Sequence, residues 1–124
     1  MRPTFERASK MKEHEHEIQK SIAQYLDLRN LCWWAVPNGG NRNIITAKKL
    51  KAEGVKAGVP DITIIHDGMY YGLEVKKPQT TTPEGRLSPT QITMISAIKN
   101  CGGEVGVVYC VADVIEFLIE KGIK

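Results

Sequence analysis

Cysteine is scarce in this chain. The three present, Cys32, Cys101 and Cys110, are odd in number, lie far apart and form no CxxC pair. Such spacing supplies neither a disulfide framework nor a zinc site, and it reads as small core or surface residues in a reducing compartment. Long apolar runs are also missing: nothing approaches the roughly 20 residues that a membrane span requires. The N-terminal stretch MRPTFERASKMKEHEHE lacks the apolar centre of a signal peptide. The expectation is a cytoplasmic protein with no membrane partner. Repeats, low-complexity tracts and long linkers are absent as well, so the 124 residues read as one domain, 1–124, with residues 1–11 as a flexible N-terminus. Nor does charge of one sign dominate. Seventeen Lys and Arg face 14 Asp and Glu, for a net +3, which admits a polyanionic partner without singling one out. With 42% hydrophobic and 25% charged residues, the composition is globular and excludes a disordered or fibrous class.

What is present is an alternation of helical and strand patterns. Met11, Ile18, Ile22, Tyr25 and Leu26 recur near helical spacing and predict a helix from Lys12 to Arg29. Cys32 to Val36 is short, aromatic and β-branched, a strand stopped by Pro37-Asn38-Gly39-Gly40. Residues 44–53 predict a short basic helix closed by Gly54. Ile62 to His66 and Met69 to Lys76 predict two strands around Asp67-Gly68, a favoured hairpin turn. The stretch PQTTTPEGRL reads as an exposed loop. Ser88-Pro89 then fits an N-cap and first helical proline for a helix to Asn100. A strand from Val105 to Val111 and a helix from Val114 to Lys121 complete an α/β sandwich on one mixed sheet, in the order α-β-β-β-α-β-α.

The hairpin carries the chemistry. A two-residue turn at Asp67-Gly68 pairs residues whose numbers sum to 135, which sets Asp61 opposite Glu74 with Cβ atoms about 5 Å apart. Strand alternation puts Lys76 on the face of Glu74, while Ile62, Ile64, Tyr71, Leu73 and Val75 form an apolar face for helices to cover. Two opposed carboxylates repel, and a hard divalent cation offsets that repulsion. A lysine beside them can neutralise part of the pair, contact a phosphate, or position and deprotonate an attacking water. This is equipment for metal-assisted phosphodiester hydrolysis. The plainer reading is a solvated strand face with a surface ion pair, and at this level both stand.

Pro60-Asp61 followed by Glu74-Val75-Lys76 resembles the PD-(D/E)XK nuclease signature. Asn38-Gly39-Gly40, the block from Lys51 to Asp61, Leu73 to Lys76, and Leu87-Ser88-Pro89-Thr90-Gln91 resemble, more narrowly, the virus-type replication-repair nuclease domain, VRR-NUC, in a stand-alone phage-type form. The resemblance runs from about residue 13 to 115. It implies a restriction-endonuclease-like core, a mixed central sheet flanked by helices, and a site in the cytoplasm of a bacterium or phage-infected host. It further implies that Asp61, Glu74 and the Val75 carbonyl bind Mg²⁺ or Mn²⁺, that Lys76 is the catalytic lysine, and that the amide of Gln91 lies near the active site. It also calls for an acidic residue on the first helix, and Glu13, Glu15 and Glu17 are available. Helical phase favours Glu15, three and seven residues before Ile18 and Ile22, with Gln19 one turn on; Glu17, about 100° from Ile18, is the alternative. Finally it implies a homodimer that resolves branched DNA such as four-way (Holliday) junctions.

Among the remaining candidates, His14 and His16 fall on different sides of a helix and make no paired ligand set. His66 belongs to the hairpin. Lys48, Lys49, Lys51 and Lys56 are the densest basic run, suited to DNA phosphates or to a solvated helix face. Of Trp33 and Trp34, adjacent strand residues facing opposite ways, at least one is expected in the core. The competing functional classes are a module that holds nucleic acid without cutting it, and a nuclease of ordinary duplex or single strands, RNA included.

Overall fold

A computed structural model describes residues 5–37, 44–78 and 86–124, with side chains in the first helix described from Glu15 onward. The elements are α1 (Phe5–Leu28), β1 (Cys32–Ala35), α2 (Ile44–Ala52), β2 (Ile62–His66), β3 (Met69–Val75), α3 (Pro89–Asn100), β4 (Glu104–Val108) and α4 (Val111–Glu120). The expected order stands, with the short basic helix α2 lying in the β1 to β2 connection. The loop expectations at residues 38–40 and 79–85 lie outside the described residues.

The four strands form one sheet in the order β1-β2-β3-β4. β2 lies antiparallel to β1 on one side and to β3 on the other, and β4 joins β3 in parallel after the crossover through α3. The hairpin register runs from His66↔Met69 to Ile62↔Leu73, the sum of 135 expected from the turn. Asp67 and Gly68 have φ of +50° and +77°, the pair of left-handed residues that a type I′ hairpin turn needs. One step beyond Ile62↔Leu73, Asp61 falls opposite Glu74.

One face of the sheet is the main core. Ile62, Ile64, Tyr71, Leu73, Val75 and Val108 meet Ile22 and Leu26 of α1 and Val114, Phe117 and Leu118 of α4. Fully burying a residue such as Leu26 or Leu118 is worth about 1.5–3 kcal/mol, so this face fixes the placement of α1 and α4. The other face carries Gly72, Glu74 and Val105, and α3 covers part of it through buried Ile95.

Three boundaries differ from the sequence expectation by more than one residue. Helix α1 begins at Phe5 rather than Lys12, because after Pro3 no Pro or Gly interrupts a run of helix formers. It closes with Asn30 in the left-handed region, φ +53°. Strand β4 ends at Val108 rather than Val111, and α4 starts at Val111 rather than Val114. There the Asp113 carboxylate accepts the Tyr109 N–H at 2.9 Å, which turns the chain into the helix within an unbroken apolar run.

Candidate active site

The two carboxylates of the hairpin are held by different means. Asp61 sits in the bend before β2. Its carbonyl accepts the Val36 N–H at 2.8 Å, and its Oδ2 accepts the Val75 N–H across the hairpin, also at 2.8 Å. Pro60 is buried against Gly72: a Cβ on that glycine would lie 2.8 Å from Pro60 Cγ and 2.9 Å from the Tyr70 hydroxyl. The Pro-Asp pair is thus a packing device that presses Asp61 toward the end of β3. A similar close approach occurs at Gly58, φ +84°, where a Cβ would come within 2.5 Å of the Thr90 carbonyl of α3. The segment leading to Asp61 therefore lies on the start of α3.

Glu74 is 2% exposed, which removes the plainer reading of a solvated ion pair. Its Oε1 accepts the Gln91 Nε2–H at 2.8 Å, while its Oε2 is buried with no hydrogen-bond partner among the described residues. Burial, then the negative charge of nearby Asp61, raise the Glu74 pKa to about 8; Lys76 opposes the rise and Glu15 adds to it. Without a cation Glu74 is therefore held toward its neutral form near neutral pH, burial being the first cause and the crowding of a second carboxylate the next.

Gln91 has two roles at once. Its backbone N–H donates to Ser88 Oγ at 3.2 Å and its Oε1 accepts the Ser88 N–H at 2.8 Å, a reciprocal capping box that opens α3. That box fixes the side chain so that its remaining amide hydrogens face Glu74. Lys76 follows the end of β3, its N–H bonded to the Val108 carbonyl at 3.0 Å. Its charge acts on both Glu74 and Glu15.

A cavity of about 270 Å³ opens beside this pair, lined by Glu15, His16, Gln19, Asp61 and Val75. Burial raises the Glu15 pKa, the charges of Lys76 and Lys77 lower it in part, and Asp61 raises it. Glu17 is exposed and off the cavity; the side chains of Glu13 and His14 lie outside the described residues. Sequence reasoning missed two residues here. His16 lines the cavity, and Lys77 is 94% buried, with an Nζ that has no hydrogen-bond partner among the described residues. The period-two alternation, which puts Lys77 on the side of Val75, was the available signal for the second. Lys48, Lys49, Lys51 and Lys56 are all exposed. Trp33 packs on the core edge, its indole N–H donating to Asp27 Oδ1 at 2.9 Å, and Trp34 is exposed. His66 sits in the hairpin against Asp67, Nε2 to Oδ2 3.4 Å.

Hard oxygen donors, a buried carboxylate oxygen lacking a partner, and mutual repulsion between Asp61 and Glu74 fit a small divalent cation. Among the described residues no three His, Cys, Asp or Glu side chains converge to cage a metal. The groups that could hold such a cation are the Asp61 and Glu74 carboxylates and the Val75 carbonyl; Glu15 lines the cavity with Asp61 and Val75. A larger cavity of about 430 Å³ along β4 and α4 gathers none of these groups, and its Glu104 is already paired with Lys121 at 3.1 Å.

The fold is an α/β core built on one mixed four-stranded sheet, with Asp61, Glu74 and Lys76 gathered at the end of the hairpin away from its turn. The VRR-NUC domain profile matches residues 13–112, and the chain belongs to that family. Its members are nucleases of the PD-(D/E)XK type. Two solved structures share the fold: a VRR_NUC domain, 23% identical with a TM-score of 0.58, covering 86% of this chain and 95% of the other, and a VRR_NUC domain protein, 21% identical with a TM-score of 0.65, covering 86% of each. No curated protein matches the chain in sequence. Among the described residues no helix is long and apolar enough to cross a membrane.

Proposed function

We propose that this chain is a Mg²⁺- or Mn²⁺-dependent DNA endonuclease whose site is Asp61, Glu74 and Lys76, supported by Glu15 and Gln91. The observation that carries the reading is the buried Glu74 carboxylate set beside half-buried Asp61, which is unfavourable for the fold alone. When bound, the cation supplies charge neutralisation at the phosphate and a more acidic water. Asp61 and Glu74 orient it, and Gln91 holds the Glu74 carboxylate by its Oε1. Lys76 offers N–H donors to a non-bridging phosphate oxygen or to the incoming water. Water adds to phosphorus, one P–O ester bond breaks, and the proton ends on the departing alkoxide.

The substrate proposed is branched DNA, a four-way junction above all, cut by a homodimer in the cytoplasm. Two sites related by a twofold axis suit paired cuts on a symmetric junction. The test is side-by-side incubation of labelled junction, flap, single-stranded and linear duplex DNA with Mg²⁺ or Mn²⁺, with the oligomeric state measured by light scattering. Paired symmetric cuts by a dimer support the resolvase reading. Equal cutting of every substrate, or cutting by a monomer, removes it and leaves a general nuclease; tight binding without cutting in either metal leaves a binding module.

A further inference from the structure

The chain leaves the sheet after Val36 and returns at Asp61, and the Val36 N–H to Asp61 carbonyl bond joins the two ends of that excursion. Both ends of that excursion therefore lie at the carboxylate end of the sheet. Helix α2 lies within it and buries none of its residues. Gly54, φ +102°, closes the helix, with the Val55 N–H on the Leu50 carbonyl at 2.9 Å.

At about 100° per residue, Lys51, Ile44, Lys48, Ala52, Ile45 and Lys49 share an arc of about 160°. Thr46, Leu50 and Ala47 occupy the remainder. Leu50 alone in α2 is half-buried, so the arc faces outward. Ile44 is 73% exposed and Ile45 80%. Lys48 falls between the two isoleucines around the helix, so apolar and cationic groups alternate across the face. A membrane-surface helix segregates its apolar side from its charges, and this one does not. A ligand matching the alternation carries anionic charge at close intervals with apolar faces between. Nucleic acid has that character where stacking is broken; an intact duplex offers phosphates but hides its bases.

We infer that α2 is the element through which this chain distinguishes distorted DNA from straight duplex, its lysines holding phosphates and Ile44 and Ile45 wedging against unstacked bases. The inference rests on the nuclease reading of the neighbouring site. Phosphate contacts are indifferent to base stacking, whereas an apolar wedge gains only where a base face is open. Selectivity thus lies in the isoleucines and general affinity in the lysines.

The experiment measures binding in Ca²⁺ of a four-way junction carrying 2-aminopurine at the branch, and of linear duplex of the same sequence, at several salt concentrations. The variants are I44N/I45N and K48Q/K49Q/K51Q, each checked for the wild-type circular dichroism spectrum. The isoleucine variant is expected to lower the junction-to-duplex affinity ratio at least tenfold, with an unchanged salt slope and a lost 2-aminopurine signal. The lysine variant is expected to weaken both substrates alike and to reduce the salt slope by about 2–3. An unchanged ratio in the isoleucine variant overturns the inference, as does tighter binding of wild type to phosphatidylserine vesicles than to the junction. Cleavage of any DNA by wild type in Mg²⁺ keeps the nuclease reading in that event, so the two failures are told apart.

Discussion

Replacing Glu74 by Gln should stabilise the metal-free protein at high pH and remove a pH dependence that the wild type carries. The unfolded carboxyl titrates near 4.5 and the folded one near 8, so between those values the folded chain binds more protons than the unfolded one. Stability then falls as pH rises from about 4.5 to about 8 and is insensitive to this group outside that window. At about 1.4 kcal/mol per pH unit the interval amounts to about 5 kcal/mol, an upper figure because an ionising buried carboxylate draws in water. Glu74→Gln keeps the oxygen that accepts from Gln91 but cannot ionise. The assay is urea unfolding in EDTA at pH 5.5, 6.5 and 7.5 for both proteins. The difference between them should shift by about 3 kcal/mol in favour of the variant from pH 5.5 to 7.5. Parallel curves would refute the argument that Glu74 is protonated in the folded apo state. The same linkage requires Mn²⁺ binding to release a proton below pH 8 and to tighten as pH rises toward it.

Lys76→Ala should abolish cutting while leaving Mn²⁺ affinity, measured by calorimetry, within a few-fold of wild type; full activity in the variant would remove the lysine from the chemistry. Gln91→Ala loses both the capping box and the donor to Glu74, and should lower unfolding free energy by about 2 kcal/mol in denaturant melts. Gly72→Ala drives a methyl group into Pro60 and the Tyr70 hydroxyl; a loss of about 1–3 kcal/mol is expected, with weakened metal binding because Pro60 seats Asp61. Ca²⁺ in place of Mg²⁺ should support DNA binding in a gel-shift assay without efficient cleavage, and rapid cutting in Ca²⁺ would count against the proposed chemistry.

The hairpin was readable from local rules. Asp67-Gly68 dictated a two-residue turn, the turn fixed the register, and the register set Asp61 opposite Glu74 before any tertiary contact was known. The start of α3 was equally local, since Ser88, Pro89 and Gln91 carry their own cap. Helical phase placed Glu15 and Gln19 on one side of α1, and both line the cavity. The burial of Glu74 was not readable, because it depends on α3 and Pro60 reaching the same face from distant parts of the chain. The roles of Lys77 and His16 depend on how α1 crosses the strand ends, which no spacing encodes. The β4 to α4 boundary was obscured by its own composition: an apolar run fits a strand or a buried helix equally, and a single Asp113 to Tyr109 bond decides the turn.

The most direct test of the account is time-resolved cleavage of an end-labelled four-way junction in Mg²⁺ or Mn²⁺ by wild type and Asp61→Ala, with binding of both proteins measured in Ca²⁺. The account predicts metal-dependent cuts by wild type and none by the variant. A variant that binds and cuts as wild type does, or a folded wild type that binds DNA but cuts in neither metal, would contradict the assignment of Asp61, Glu74 and Lys76 as a nuclease centre.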